Sequence, residues 1–336
     1  MHVLELLNKY DVQGMHQVYD KWPEISKYAY GNNNKIIKFK KIDHIVFAGM
    51  GGSGTLGDVF SSILSKTNIH VSVIKGYLLP KTVDSNTLVV TTSVSGNTVE
   101  TLSILQLAKK KKSKIVAFFS SGKMEVYCKK YNINYIKVPF VHSPRASFTV
   151  YLYTMLKSLK LILPIKKSDI TESIQNMHRV RKKIGSTNLT VTNPSLKLAN
   201  WISGIPLIYY PHGLQATAIR FKNSLQENAK IHAMAEDVLE SSHNGIVSWE
   251  KPSNVNPIII RGKDDYIKTK ERWQILKEYF KKNDIDYQEI TSVKGSILSK
   301  IVTLIYFLDY CTIYKAVLTK TNPSPISAID YVKEKL

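Results

Sequence analysis

In the first third of the chain, a short apolar run twice ends in a turn rich in Gly, Ser and Thr that opens a helical pattern. The first is Ile45-Val46-Phe47 running into Gly49-Met50-Gly51-Gly52-Ser53-Gly54-Thr55. The second is Leu88-Val89-Val90 running into Thr91-Thr92-Ser93-Val94-Ser95-Gly96-Asn97-Thr98. Such strand-to-helix turns gather backbone N–H groups and hydroxyls at a helix N-terminus, where the helix dipole favours an anion. Two of them on neighbouring strands hold one phosphate from both sides. The chain therefore reads first as a binder of a phosphorylated small molecule.

The alternation continues along the chain. Strands are expected over 44–48, 70–75, 87–92, 114–119 and 134–138, with helices over 3–30, 54–65, 97–110, 123–130 and from 147. After a polar stretch at 165–195, helix 197–203, strand 206–210 and a long helix over 214–229 are expected. A loop holding His243-Asn244-Gly245 follows, then strand 257–260, helix 266–282, strand 286–290, helix 296–314 and a short tail helix to Leu336. Repeated strand–helix units specify an α/β fold, each half a mostly parallel sheet flanked by helices. The expected domains are 1–163, which carries the phosphate turns, a linker region 164–195, and 196–336.

The formal net charge of +21 invites a nucleic-acid reading. The excess is mostly Lys and is spread out, with local runs at Lys109-Lys110-Lys111-Lys112, Lys166-Lys167 and Arg179-Val180-Arg181-Lys182-Lys183. Sequence-specific readers of nucleic acid favour Arg in clustered patches. Solvated helix surfaces account better for these runs, and a positive field also draws in an anionic substrate. No apolar stretch is expected to be long enough to span a bilayer, and Met1-His2-Val3-Leu4-Glu5 lacks the pattern of a signal peptide. Cys128 and Cys311 are lone thiols without metal spacing, which points to a reducing cytoplasm rather than a disulfide framework.

Gly49-x-Gly51-x-x-Gly54 matches the dinucleotide fingerprint, but a NAD site wants an acidic residue at the end of the next strand. The segment from Ile69 to Gly76 supplies none. The Gly-Lys-Ser/Thr of a P-loop is absent too, which argues against hydrolysis of nucleoside triphosphates. Three hydroxyls at Ser93, Ser95 and Thr98 exceed what a helix cap needs and favour a ligand. Arg145 follows a strand and precedes a helix, on the same edge as the phosphate turns, where it suits a developing oxyanion. Glu227, alone, reads as a helix-surface residue paired with Lys230, and His243, alone, as an exposed loop histidine. The histidines and cysteines form no metal signature, so proton chemistry without metal or cofactor is the simpler enzyme reading.

Taken together, these segments resemble the sugar isomerase (SIS) domain superfamily, and within it the archaeal-type bifunctional phosphoglucose/phosphomannose isomerases. The resemblance runs from Gly49-Met50-Gly51-Gly52-Ser53-Gly54 to Asn322-Pro323-Ser324-Pro325-Ile326. Its most telling segments are Glu227-Asn228-Ala229-Lys230 and His243-Asn244. The resemblance implies two SIS lobes, a homodimer with its active site at the subunit interface, and a hexose 6-phosphate substrate. It implies that Gly52, Ser53, Ser93, Ser95 and Thr98 bind the 6-phosphate, and that Glu227 moves a proton between C1 and C2. Arg145 would stabilise the cis-enediolate, and His243 of the partner subunit would assist ring opening.

Two positions depart from the family pattern. Ser324-Pro325 stands where the family commonly has Thr-Pro, and keeps the hydroxyl linked to mannose chemistry. The family's tail lysine position is Tyr331 here, and Lys333 on the same short helix is the candidate substitute. A non-catalytic sugar-phosphate sensor is the alternative reading, opposed by the presence of both Glu227 and His243. An amidotransferase would need an added glutaminase domain with an N-terminal Cys, which the chain lacks.

Overall fold

The computed structural model describes residues 3–335. The chain divides into two compact units. One is Lys21–Gln175 with Ser296–Leu298; the other joins the residues up to Asp20 with Asn176–Gly295 and the chain from Ser299 onward. The first helices therefore belong with the second half, not with the 1–163 lobe that the sequence suggested.

Three helices open the chain: α1 (Val3–Tyr10), α2 (Met15–Asp20) and α3 (Trp22–Gly31). The single helical stretch expected over 3–30 is broken because Gly14 turns the backbone at φ +67°. The Asp11 carboxylate then caps α2, accepting from the N–H groups of Met15 and His16 at 2.9 and 2.8 Å.

The Lys21–Gln175 unit continues with β1 (His44–Ala48), α4 (Gly51–Leu64), β2 (His70–Ile74), β3 (Thr87–Ser93), α5 (Val99–Lys110) and β4 (Lys114–Phe119). Then come α6 (Lys123–Lys130), β5 (Asn134–Lys137) and α7 (Phe148–Ser158). The strands form one parallel sheet in the order β2-β1-β3-β4-β5. β1 and β3 are buried along their whole length, which is why they read as near-continuous apolar runs. On one face Val46, Val89, Ala117 and Phe119 pack with Ile104, Leu105, Met124 and Cys128 of the helices. On the other, Phe47 stacks on Phe60 of α4 at 4.8 Å.

Helix α8 (Lys167–Ile184) fills most of the stretch read as a linker, and the boundary between the units falls within it, after Gln175. Its polar residues hid it, yet Ile170, Ile174, Met177 and Ile184 recur at helical spacing and are buried. The second unit adds α9 (Pro194–Trp201), β6 (Ile205–Tyr210), α10 (Gln215–Ser224), β7 (Met234–Asp237), α11 (Val238–Ser241) and β8 (Val255–Arg261). It ends with α12 (Ile267–Lys282), β9 (Gln288–Thr291), α13 (Ile297–Leu318) and α14 (Ser327–Glu334). Its parallel sheet runs β7-β6-β8-β9. The sequence reading missed β7, because Met-Ala-Glu-Asp holds none of the β-branched residues that favour strands. The tail helix was expected to reach Leu336, which lies outside the described residues.

One expectation needs correction. Helix α13 is long and apolar enough to cross a membrane, but 83% of that stretch is buried inside the protein. It is a core helix. Its Tyr306, Tyr310 and Tyr314 hydroxyls donate to the main-chain oxygens of Tyr19, His16 and Ile184 at 2.7, 3.2 and 2.7 Å. Two of the basic runs, and Lys281-Lys282, also find a physical account, whereas Lys166-Lys167 stands at the start of α8. Lys109-Lys110 end α5, Arg181-Lys182-Lys183 end α8, and Lys281-Lys282 end α12, where cations complement the helix dipole.

Candidate active site

In an open α/β sheet, ligands bind beyond the carboxyl ends of the strands where the strand order reverses. In the first unit that point lies between β1 and β3, the two strands followed by the Gly/Ser/Thr turns. The turns touch: a Cβ on Gly49 would sit 2.9 Å from the Thr92 carbonyl oxygen. Gly51 opens α4 with φ +51° after an extended Met50. The N–H groups of Ser53 and Gly54 return to the Met50 carbonyl at 3.0 and 3.1 Å. The Gly51 and Gly52 N–H groups are thus first-turn donors without an acceptor within the helix.

Arg145 joins this site. A Cβ on Gly52 would lie 3.3 Å from the Pro144 oxygen and 3.4 Å from the Arg145 Cα, so the loop before α7 rests on the first turn of α4. Arg145 is buried, at 3% exposed. The loop that carries it is held by Ser147 Oγ, which donates to the Ser143 oxygen at 2.9 Å, and by Trp22 Nε1, which donates to the Ala146 oxygen at 3.0 Å.

The second turn is preorganised by its own hydroxyls. Ser93 Oγ and Thr98 Oγ1 lie 2.8 Å apart, the Gly96 N–H donates to Ser93 Oγ at 3.1 Å, and the Asn97 N–H donates to Ser95 Oγ at 3.2 Å. Thr98 stands at the N-cap of α5 without making a side-chain cap bond. Ser93 is buried and Ser95 exposed. Gly96 has φ +67°, and a Cβ there would fall 1.7 Å from the Ser121 oxygen. Gly96→Ala is therefore expected to destabilise the protein by more than about 2 kcal/mol and to weaken phosphate binding. Thermal unfolding with and without inorganic phosphate checks this, and an unchanged Tm would count against the role given to Gly96.

The fingerprint glycines serve packing here. A Cβ on Gly54 would meet the Gly49 oxygen at 2.8 Å and Lys75 Cε at 3.2 Å. Where a NAD site carries an acid, this chain carries Lys75, paired with Asp58 at 2.6 Å. Burial lifts the Asp58 carboxyl above its usual range, against the opposing pull of the Lys75 ammonium.

In the second unit, α10 does not continue as the long α-helix expected over 214–229. At Leu225 it widens into a π-helical turn, Leu225–Ala229, which holds Glu227 and closes at Lys230. Such turns mark functional sites often. Glu227 is half-buried there. Lys230 donates from Nζ to the Glu227 main-chain oxygen and, at 2.6 Å, to the Pro325 oxygen. The turn is braced from α13, since Asn228 Nδ2 donates to Thr312 Oγ1 at 2.7 Å. One turn earlier, buried Arg220 donates to Asp309 Oδ2 from Nε at 3.0 Å and from Nη2 at 2.6 Å. Burial opposes the Arg220 charge, but the negative charge of Asp309 and the hydrogen bonds to it, with a lesser contribution from the Glu227 charge, outweigh it and raise the pKa.

The tail and the histidine lie in the same unit. The Ser324 N–H donates to Asn322 Oδ1 at 3.0 Å, and the Lys230 bond to Pro325 brings this tail to the Glu227 turn. Lys333 is exposed on α14, as is Tyr331. His243 is exposed too, just before a 3₁₀ turn at Gly245–Glu250. Sequence reasoning missed Glu236, at the carboxyl end of β7. Its Oε2 is enclosed without a hydrogen-bond partner, and a Cβ on Gly245 would meet it at 2.7 Å. Burial raises the Glu236 pKa. No motif announced this residue, because only the pairing of β7 with β6 places it under the His243 loop.

Comparison with known proteins agrees with this architecture. Residues 38–161 match the SIS domain family, and residues 191–336 match the bacterial phospho-glucose isomerase C-terminal SIS domain. Both halves are thus SIS domains. The chain is 33% identical to a bifunctional phosphoglucose/phosphomannose isomerase of Caldicellulosiruptor bescii, over 95% of this chain and 97% of that one. It is 29% identical to a protein of the same name from Aquifex aeolicus, over 87% and 90% of the two chains. A D-glucosamine-6-phosphate 4-epimerase of Sulfolobus acidocaldarius is also 29% identical, over 73% and 77%. Among solved structures, a glucose-6-phosphate isomerase like protein from Thermus thermophilus shares the fold with a TM-score of 0.67 at 14% identity, over 99% of both chains. The chain belongs to the bifunctional phosphoglucose/phosphomannose isomerase family.

Proposed function

We propose that the protein is a metal-independent aldose–ketose isomerase that interconverts glucose 6-phosphate and mannose 6-phosphate with fructose 6-phosphate through a cis-enediol(ate). The observation that carries this reading is the pair of Gly/Ser/Thr turns at the β1–β3 switch point of one unit; the other unit displays a carboxylate, Glu227, on a π-helical turn. The names of the relatives point the same way.

In this mechanism the open N–H groups at Gly51 and Gly52 and the hydroxyls of Ser53, Ser93, Ser95 and Thr98 hold the 6-phosphate. Glu227 lifts a proton from C2 of the aldose and returns it to C1, which needs one carboxylate and no redox partner. Arg145 stabilises the enediolate oxygen. Glucose and mannose 6-phosphates differ only at C2 and collapse to one enediol, so a single base serves both. The Ser324 hydroxyl belongs to the mannose side of this specificity, and Lys333 takes the part of the family's tail lysine.

The protein acts as a cytoplasmic homodimer in which His243 assists ring opening on the partner's substrate. Exposure of His243 beside the exposed apolar side chains of Leu239 and Val247 supports an interface there. Arg145→Ala is expected to lower kcat about a hundredfold while substrate affinity falls far less. An affinity loss equal to the rate loss would make Arg145 a ground-state ligand only. The function itself is tested by incubating the chelator-treated protein with fructose 6-phosphate and measuring glucose 6-phosphate and mannose 6-phosphate separately. Both products are expected. Glucose 6-phosphate alone would place the restriction in the Ser324–Tyr331 tail, and neither product would overturn the reading.

A further inference from the structure

Lys230 closes the π-helical turn in the left-handed conformation, with φ 58° and ψ 34°. Glycine or asparagine is the usual occupant of such a position, because a longer side chain is strained there. Backbone geometry therefore gives no reason for a lysine. Its ammonium does: it donates both to the Glu227 main-chain oxygen and to the Pro325 oxygen. One cation joins two segments that are 95 residues apart, the turn that displays Glu227 and the tail that carries Ser324 and α14. The tail is lightly held beyond that point. Pro323 is buried, but α14 buries none of its side chains.

We propose that Lys230 is a positioning residue that pins the C-terminal tail to the Glu227 turn, a role that rests on reading Glu227 as the base. The last carbonyls of a helical segment lack partners within it. Capping the Glu227 carbonyl fixes the pitch of the turn, and hence the direction of the carboxylate. The second bond, to Pro325, keeps Ser324 beside that turn. The two roles share one ammonium, so tail closure and base orientation rise and fall together.

The test uses the full chain. Lys230→Met removes the charge at similar length, and Lys230→Gly also removes the backbone strain. Both are expected to lower kcat by about tenfold or more, while KM for fructose 6-phosphate moves by less than about threefold. Both should also speed amide exchange over residues 326–334 relative to the rest of the protein. Lys230→Arg, which keeps the charge and the donors, should recover most of kcat. Unchanged tail exchange in the Met and Gly variants, or an unchanged kcat in them, overturns the proposal. An unmodified protein inactive on hexose 6-phosphates would sink the isomerase reading instead, and the exchange comparison would still decide whether Lys230 holds the tail.

Discussion

Glu227→Gln should leave a folded protein that binds fructose 6-phosphate and does not isomerise it. The amide keeps the size of the side chain and its place in the π-helical turn but cannot accept the C2 proton. Removing a general base typically costs 10²- to 10⁴-fold, and with no second carboxylate assigned to the step the loss should approach about 10⁴. The phosphate site proposed above draws on Gly51, Gly52, Ser53, Ser93, Ser95 and Thr98, none of which lies on the π-helical turn. The dissociation constant for fructose 6-phosphate should therefore change little, and incorporation of solvent deuterium at C1 and C2 should vanish. Measurable exchange at a wild-type rate would remove Glu227 from the mechanism. The variant also tests the dimer. Mixed with His243→Ala, it should regain part of the activity that each variant lacks alone, because a mixed dimer holds one site with both native groups.

Asp309→Ala should be the most destabilising single change in the second unit. The Asp309 carboxylate is fully buried and accepts from Arg220, from Ser224 Oγ at 3.0 Å and from the Tyr19 hydroxyl at 3.1 Å. Its loss strands the Arg220 guanidinium, 2% exposed, without its counter-charge. Breaking a buried pair from one side costs about 3–5 kcal/mol, far more than the net value of the pair. The measurement is chemical unfolding of Asp309→Ala beside the double variant Arg220→Met/Asp309→Leu. The double variant should be the more stable of the two, since it buries no orphaned charge. Equal loss in both would mean that packing, not charge, is what Asp309 supplies. Arg220 lies one turn before the π-helical segment and feels the Glu227 charge, so Asp309→Ala should lower activity as well.

The residues expected to form the phosphate site were legible because strand-to-helix turns are local. A run of apolar residues followed by Gly, Ser and Thr dictates the turn whatever surrounds it, and β1, β3 and their turns lie where the pattern put them. The failures have a common cause. Helix α8 was hidden by a polar composition that only its buried stripe contradicts, and β7 by residues that pair as a strand only because β6 offers an edge. The break in α10 at Leu225 leaves no trace in helix periodicity, since a π-helical turn admits the same residues as the helix it interrupts.

The amino-acid sequence by itself determined the α/β class and the two Gly/Ser/Thr turns, which depend on local chemistry, and, through motifs that stay intact within short segments and resemble a known family, the family and the candidate base. Tertiary structure alone decided that Arg145 is buried against Gly52, that Glu227 stands on a π-helical turn, that Lys230 ties this turn to the tail, and that α13 is a core helix. Each of those is a contact between segments distant in the chain, or a local geometry that such contacts impose, and its free energy comes from packing and from pairing of buried polar groups that no single stretch of sequence contains.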